Sequence, residues 1–512
     1  MDSPIVTQLF RQLFRHHPAC QSRRNLATLA SALRDVRRQH LLSNQLRHHA
    51  HSHPRRNYAS KRPDRTPQYD KNWQQRSDIF QQDMTEEFKK YPMVTAMDLR
   101  NRTERPRRVK MLMRDFIEDS LYNPNYGYFS KQVVIFTPGE PFEFASLYDE
   151  LDFHSLLSQR YKEFEDALDA VSPSDTRQLW YTPTELFRPY YGEAIARYLV
   201  ANYKLTTFPY HDLIIYEMGA GRGTLMLNIL DYIRDIHPDV YDRTKYKIIE
   251  ISTQLATLQN SQLMQSTAAR GHADRVEIIN QSIFDWSHPV PSPCFFLAFE
   301  VFDNFAHDVL RYDMETQEPL QGLVLIDSHG DFYEFYTRQL DPVAARYLAV
   351  RDVATGGRHK VPYPTTKLGR WLAARKPLVS NLSAPEYIPT RLMNFFDVLG
   401  RYFPAHRLLT SDFHSLPDAI PGLNAPIVQT RFQRRPVPVS TPLVHQGYFD
   451  IMFPTNFQTA EATYQAITGK LTRVLSHEEF MRRWAYLEDT ETRSGENPLL
   501  TWYKNASVLF TI

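Results

Sequence analysis

Two cysteines in 512 residues, Cys20 and Cys294, are too few for a disulfide framework and the wrong pattern for a zinc site. A formal net charge of +2 selects no strongly acidic or basic partner. No apolar run approaches the roughly 18 residues that a membrane-spanning helix needs, and the longest, around Cys294–Phe299, reads as a buried strand. Glycine is scarce at 17 positions, so any concentration of it is informative. What is present is ordinary for a globular chain: 42% apolar residues with 13% aromatics predict a substantial core.

The small net charge conceals an asymmetry. Residues 1–60 hold ten arginines, no lysine and only two acids, Asp2 and Asp35. Leu9, Phe10, Leu13 and Phe14 alternate with Arg11 and Arg15 at helical spacing, and Ser- and His-rich sequence follows. Arg-rich, acid-poor and amphipathic is the composition of a mitochondrial transit peptide. "RRNYAS" has an arginine three residues before a cut after Tyr58, which puts the segment at 1–58 and the mature start at Ala59. The alternative is a basic arm for nucleic acid or anionic lipid.

Residues 59–95 are polar and read as a linker, and 96–210 as a helical, substrate-side region. In that region Val109, Leu112, Met113, Phe116 and Ile117 form one helical face within a helix over 99–120, ended by the "YNPNYGYFS" turn. A further helical region is expected over 131–175, and Thr182 with Glu185 makes a capping box. Residues 211–330 alternate strands and helices: strands at 212–218, 245–252, 275–282 and 294–303, with helices over 224–236 and 254–269. That alternation, with continuously apolar strands, predicts an α/β doubly wound parallel sheet of Rossmann-like type. Residues 322–327 and 331–338 read as a hairpin turned by "SHG". The remainder, 331–512, is expected to complete the domain with α+β insertions, including a core strand at 406–413.

The scarce glycine is concentrated at one point. "IIYEMGAGRGTLMLNIL" (214–230) crowds Gly219, Gly221 and Gly223 into five positions between a strand and a helix. Such a turn lets backbone approach a ligand, and the helix start offers free N–H groups to an anion. A dinucleotide fingerprint requires a glycine where Thr224 stands, and a P-loop requires a lysine that the loop lacks. The order Glu217-x-Gly-x-Gly-x-Gly is instead that of the first motif of class I methyltransferases, which bind S-adenosyl-L-methionine. That cofactor has no phosphate and carries a sulfonium cation, so its loop needs space and acceptors rather than cations. Glu250, ending the second strand, is the acid expected for the ribose hydroxyls. Ser282, with Gln281 and Asp285, is placed for the adenine.

Several stretches together resemble one family, the mitochondrial complex I assembly factor 7 or MidA-like methyltransferases, of which this chain looks like a divergent member. "EMGAGRGTLMLNIL" and "EISTQLATLQ" (250–259) are similar to its cofactor motifs. "LYNPNYGYF" (121–129), "YTPTELFRPYYGE" (181–193), "FEVFDNF" (299–305), "TSDF" (410–413) and "GYFDIMFPTNF" (447–457) are similar to other segments. The departures fall on the substrate side: Phe299 replaces an asparagine, Asn304-Phe305-Ala306 replaces Ala-Leu-Pro, and His414 replaces a glycine.

The resemblance implies a class I fold with a helical N-terminal part, S-adenosylmethionine bound at 211–330, and methylation of a protein arginine. It further implies a complex I subunit as the substrate and the mitochondrial matrix as the location. An arginine acceptor is protonated, so carboxylates must orient it and take up its proton. Asp303 is expected in that role, with Glu300 as its partner or a structural anchor. Tyr126, Tyr128 and Phe129 either roof the cofactor or pack. The substrate-side departures motivate an alternative, a catalytically degenerate assembly or docking factor. RNA methylation has less support, because the basic stretches 105–110 and 431–435 are short.

Overall fold

A computed structural model describes residues 72–75, 82–131, 133–250, 265–366, 369, 381–417 and 419–512. The expected transit segment 1–58 lies outside the described residues, as does most of the expected helix over 254–269.

Among the described residues, seven strands form the central sheet: β1 (Leu213–Met218), β2 (Thr244–Glu250), β3 (Val276–Asn280), β4 (Cys294–Phe299), β5 (His406–Phe413), β6 (Thr472–Ser476) and β7 (Ala506–Thr511). Their order is β3-β2-β1-β4-β5-β7-β6, with β7 antiparallel to both neighbours and the other pairings parallel. This is the doubly wound α/β sheet that the strand–helix alternation predicts. The order reverses between β1 and β4, so the connections leaving their carboxyl ends diverge and open a crevice.

Alternate side chains on these strands enter two separate cores, as the twofold period of a strand requires. Ile215, Leu297, Leu409 and Val508 pack on one face with α1 (Tyr190–Thr206), α2 (Thr224–Ile236) and α5 (His477–Trp484). Tyr216, Phe296, Ala298 and Leu408 pack on the other with α3 (Thr390–Tyr402) and α4 (Phe457–Thr468). Gly192 brings α1 against α2, because a Cβ there would stand 2.5 Å from that of Asn228.

The sheet is not confined to 211–330. Between β4 and β5 the chain builds most of an antiparallel sheet from Asp308–Tyr312, Pro319–Ile326, Phe332–Thr337 and Glu386–Ile388. The expected hairpin is part of it, with Ile326 opposite Phe332. Between β5 and β6 lies a three-stranded sheet of Ile427–Phe432, Arg435–Val439 and Asp450–Met452.

The N-terminal region departs from expectation where distant pairing overrides local pattern. Val109–Leu112 is a strand against Pro319–Ile326, and the helix begins only at Met113, running to Tyr122. Within 131–175 the helix is Glu150–Val171, preceded by a short strand, Val133–Ile135, paired in parallel with Gln178–Trp180. Residues 85–90, within the expected linker, form a helix whose Phe88 stacks on Phe335 at 4.2 Å. The expected linker is tied to the fold by this aromatic, by the buried Met84 beside it, and by Asn72–Gln75, a strand paired antiparallel with Phe332–Thr337.

Candidate functional site

The carboxyl ends of β1, β2, β4 and β5 open into a cleft of about 1830 Å³. That exceeds the roughly 300–1,000 Å³ typical of a small-molecule pocket, and leaves room for a second reactant beside a cofactor. Residues from the Tyr122–Ile135 stretch, from 179–185 and from the insertion between β5 and β6 close its walls.

At one end sits the glycine turn. Gly219, Gly221 and Gly223 have φ of 74°, 53° and 76°, in the left-handed region that other residues avoid. A Cβ at Gly221 would meet Ile135 Cδ1 at 3.0 Å, and one at Gly219 would meet Val301 Cγ2 at 3.2 Å. No side chain caps the helix that follows, so its first N–H groups face the turn without a side-chain acceptor.

Five of the six expected cofactor residues, Glu217, Gly219, Gly221, Glu250 and Ser282, line the cleft. Gly223 does not; it sits behind the turn as the left-handed residue from which α2 starts. Glu217 is buried and accepts a 2.8 Å hydrogen bond from the Tyr246 hydroxyl. Burial pushes its carboxyl up to about 7 despite that bond. Glu250 ends β2 opposite Asn280. Ser282 Oγ accepts from the Phe284 N–H, capping the turn at Ile283–Asp285. Asp285 pairs with Arg100 at 3.5 Å, and the Arg391 guanidinium covers the Phe284 ring at 3.8 Å.

The other end is built on the turn after β4. Glu300 and Asp303 both line the cleft, and Glu300 adopts a φ of 52°, a left-handed conformation that costs a non-glycine residue about 1 kcal/mol. The conformation is held from outside. Asp412, ending β5, accepts with Oδ2 from the backbone N–H groups of Val301, Phe302 and Asp303 at 3.1, 2.7 and 3.3 Å. Asp450, from the second insertion, accepts a 3.0 Å hydrogen bond from Asn304 Nδ2 and also lines the cleft. Asp303 Oδ1 is buried without a hydrogen-bond partner among the described residues. Among the described residues, no lysine or arginine forms an ion pair with Glu300, Asp303, Asp412 or Asp450. Of the six arginines that line the cleft, 100, 114, 391, 431 and 434 are paired with Asp285, Asp308 and Asp341, Glu118, Glu165, and Asp166 and Asp169 respectively, whereas Arg222, in the glycine turn, forms no ion pair among the described residues.

Sequence reasoning missed three members of this arrangement. Asp412 and Asp450 were visible only inside the "TSDF" and "GYFDIMF" stretches; for Asp412 the signal is its position at the end of a core strand parallel to β4. Glu185 carries only half of the expected capping box: its N–H donates to Thr182 Oγ1, but its carboxylate turns away to accept from Thr224 Oγ1. Of the three aromatics in "YGYF", Phe129 lines the cleft, whereas Tyr126 bonds Asp119 and Tyr128 bonds Gln178 and Trp180 in the interior.

A family model described as a putative S-adenosyl-L-methionine-dependent methyltransferase matches residues 194–475, more than half of the chain. The chain belongs to this family. S-adenosylmethionine is therefore the cofactor of this methyltransferase, in agreement with the glycine turn. Among curated relatives, the chain is 28% identical over 389 residues to the "Protein arginine methyltransferase NDUFAF7 homolog, mitochondrial" of Schizosaccharomyces pombe, covering 73% of this chain and 80% of that protein. It is 22% identical over 350 residues to the protein of the same name from Saccharomyces cerevisiae, covering 62% and 77%. A likely methyl transferase from Burkholderia thailandensis, solved bound to S-adenosyl-homocysteine, is similar with a TM-score of 0.49 at 15% identity, covering 79% of this chain and 88% of that one.

The carboxylates of the methyltransferase give its stability a pH dependence. Burial pushes Glu300 up to about 8, Asp450 to about 7 and Asp412 to about 6, and raises Asp303 as well, with neighbouring Asp412, Asp450 and Glu300 adding to it. A carboxyl raised on folding holds more protons in the folded than in the unfolded chain between its two values. Its contribution is thus full below about pH 4 and lost as pH rises through the folded value. The buried histidines 307, 406 and 477 are lowered by burial to about 3, 4 and 4, so their opposite contribution has levelled off above about pH 6.5. Between pH 6.5 and 8.5 the melting temperature of the unliganded protein is expected to fall by about 2–5 °C, and Glu300→Gln to flatten the slope. A flat wild-type profile would contradict the burial of these groups.

Proposed function

We propose that this methyltransferase methylates a guanidinium nitrogen of an arginine in a partner protein, a respiratory complex I subunit of the mitochondrial matrix. The observation that carries the reading is the carboxylate cluster of Glu300, Asp303, Asp412 and Asp450, which has no cation of its own and adjoins the glycine turn. A buried carboxylate group without a counter-ion is unfavourable alone and becomes favourable around a planar cation with several donors. The S-adenosylmethionine-dependent names of the family and the arginine methyltransferase names of the relatives agree with it.

In this reading Gly219, Gly221 and Gly223 shape the turn that receives the amino-acid arm, Glu250 holds the ribose, and Ser282 borders the adenine. Glu217 braces the end of β1 through Tyr246. When bound, the cofactor supplies an electrophilic methyl carbon. Asp303 orients the guanidinium and accepts the proton that nitrogen loses, with Glu300 sharing the cation. Asp412 positions both through the backbone of the turn. Residues 1–58 serve as the targeting segment.

Incubation of the protein with methyl-labelled S-adenosylmethionine and mitochondrial extract is expected to label a complex I subunit, with the label recovered as methylarginine after hydrolysis. Label recovered in another amino acid or in RNA would overturn the acceptor, and absence of transfer would leave the docking-factor reading in its place.

A further inference from the structure

Two carboxylate oxygens on the cleft wall are buried without a hydrogen-bond partner among the described residues: Asp303 Oδ1 at the acceptor end and Glu185 Oε2 beside the glycine turn. The first belongs to the acceptor reading. The second has no task in it.

Glu185 lies in the short helix Pro183–Leu186 and is only 3% exposed. Its Oε1 accepts a 2.5 Å hydrogen bond from Thr224 Oγ1, and Thr224 is the first residue of α2. That bond fixes the carboxylate against the uncapped helix start. The nearest cation, Arg188, has Nη1 3.9 Å from Oε2, beyond hydrogen-bond distance, and its other terminal nitrogen donates to the Gly139 carbonyl. A buried carboxylate is thus oriented by one oxygen while the other, facing Arg188 only at ion-pair distance, has no hydrogen bond among the described residues, an arrangement that is costly unless a ligand supplies the missing donor.

The cofactor's amino-acid arm has such a donor. Its α-carboxylate suits the uncapped start of α2, whose N–H groups and dipole favour an anion. The α-ammonium is attached to the same carbon and so lies within a few ångströms of wherever that carboxylate is held. We propose that Glu185, held in place by Thr224, accepts a hydrogen bond from the α-ammonium and makes the site selective for a zwitterionic arm. The proposal rests on the cofactor assignment and not on the arginine acceptor.

The test compares two ligands by calorimetry: S-adenosylhomocysteine and its deaminated analogue, in which hydrogen replaces the ammonium. The wild-type protein is expected to bind the first about 10–100-fold more tightly, the value of one charge-assisted hydrogen bond. Glu185→Gln keeps shape and the Thr224 contact but removes the charge, and is expected to bring the two affinities within about threefold by weakening only the ammonium-bearing ligand. Thr224→Val leaves the carboxylate but removes the bond that orients it, and should cost about three- to tenfold on the same ligand alone. Equal wild-type affinities for the two ligands would overturn the proposal without any variant. So would a Glu185→Gln protein that loses both ligands equally, which marks a scaffold role, or that loses neither.

Discussion

Asp303→Asn is expected to leave S-adenosylmethionine affinity within about threefold while lowering methyl transfer by about 10²–10⁴-fold. The two effects separate because the residue's backbone and side chain do different things. Its N–H is one of the three that Asp412 holds, and its carbonyl accepts from the Phe453 N–H at 2.7 Å, so the turn keeps its shape whatever the side chain carries. The side chain faces the cleft with one oxygen unpartnered, and asparagine fills the same volume without the charge or the proton affinity. Binding measured by calorimetry and single-turnover transfer to a labelled acceptor check the two halves independently. Unchanged transfer would remove Asp303 from the chemistry, and lost cofactor binding would mean that the acceptor and cofactor ends are not separable.

Gly221→Val is expected to weaken cofactor binding by at least about 100-fold with a folded protein remaining. At φ of 53° a β-branched residue is strained, and its Cβ would begin 3.0 Å from Ile135 Cδ1 on the opposite wall. The branch then occupies the space that the glycine leaves for a ligand. Thermal melting separates loss of the fold from loss of the site. Binding within a few-fold of wild type, in a protein that melts normally, would show that the cofactor does not pass along this turn.

These two residues also mark how differently the two ends of the site were legible. The cofactor end is written in one stretch of chain: Glu217, the glycines, Glu250 and Ser282 follow each other at the ends of consecutive strands, so spacing and element type place them together. The acceptor end is assembled from Glu300 and Asp303, from Asp412 more than a hundred residues on, joined to them because β4 and β5 are neighbours, and from Asp450 in the second insertion, joined through Asn304. Asp303 was legible as an acid past a strand end, but Asp412 acquires its task only once three N–H groups from another strand's turn converge on it. Glu185 was misread for the opposite reason. A local rule, the capping box, accounted for it completely, and the tertiary contact with Thr224 took its carboxylate elsewhere. The same competition put Val109 and Leu112 into a strand: three apart they would share one face of a helix, but paired with Ile326 and Leu323 they lie on opposite faces of a strand and enter two different cores.

The position of β7 has a consequence for how the chain comes to be folded. In space it stands between β5 and β6; in chain order it follows every other strand of the sheet. A chain emerging from its N-terminal end, from a ribosome or through a membrane pore, can pair β1 to β5 in parallel and still present the backbone of Leu409–Phe413 as an open edge. Leu409, Thr410, Ser411 and Asp412 are all buried in the finished fold, so until β7 covers it that edge is a row of unpaired backbone groups to which other unfinished chains can add. Until residues 506–511 arrive, the half-made sheet is a template without its own strand. The time spent in that state, rather than the stability of the finished fold, sets its exposure to aggregation and its call on chaperones.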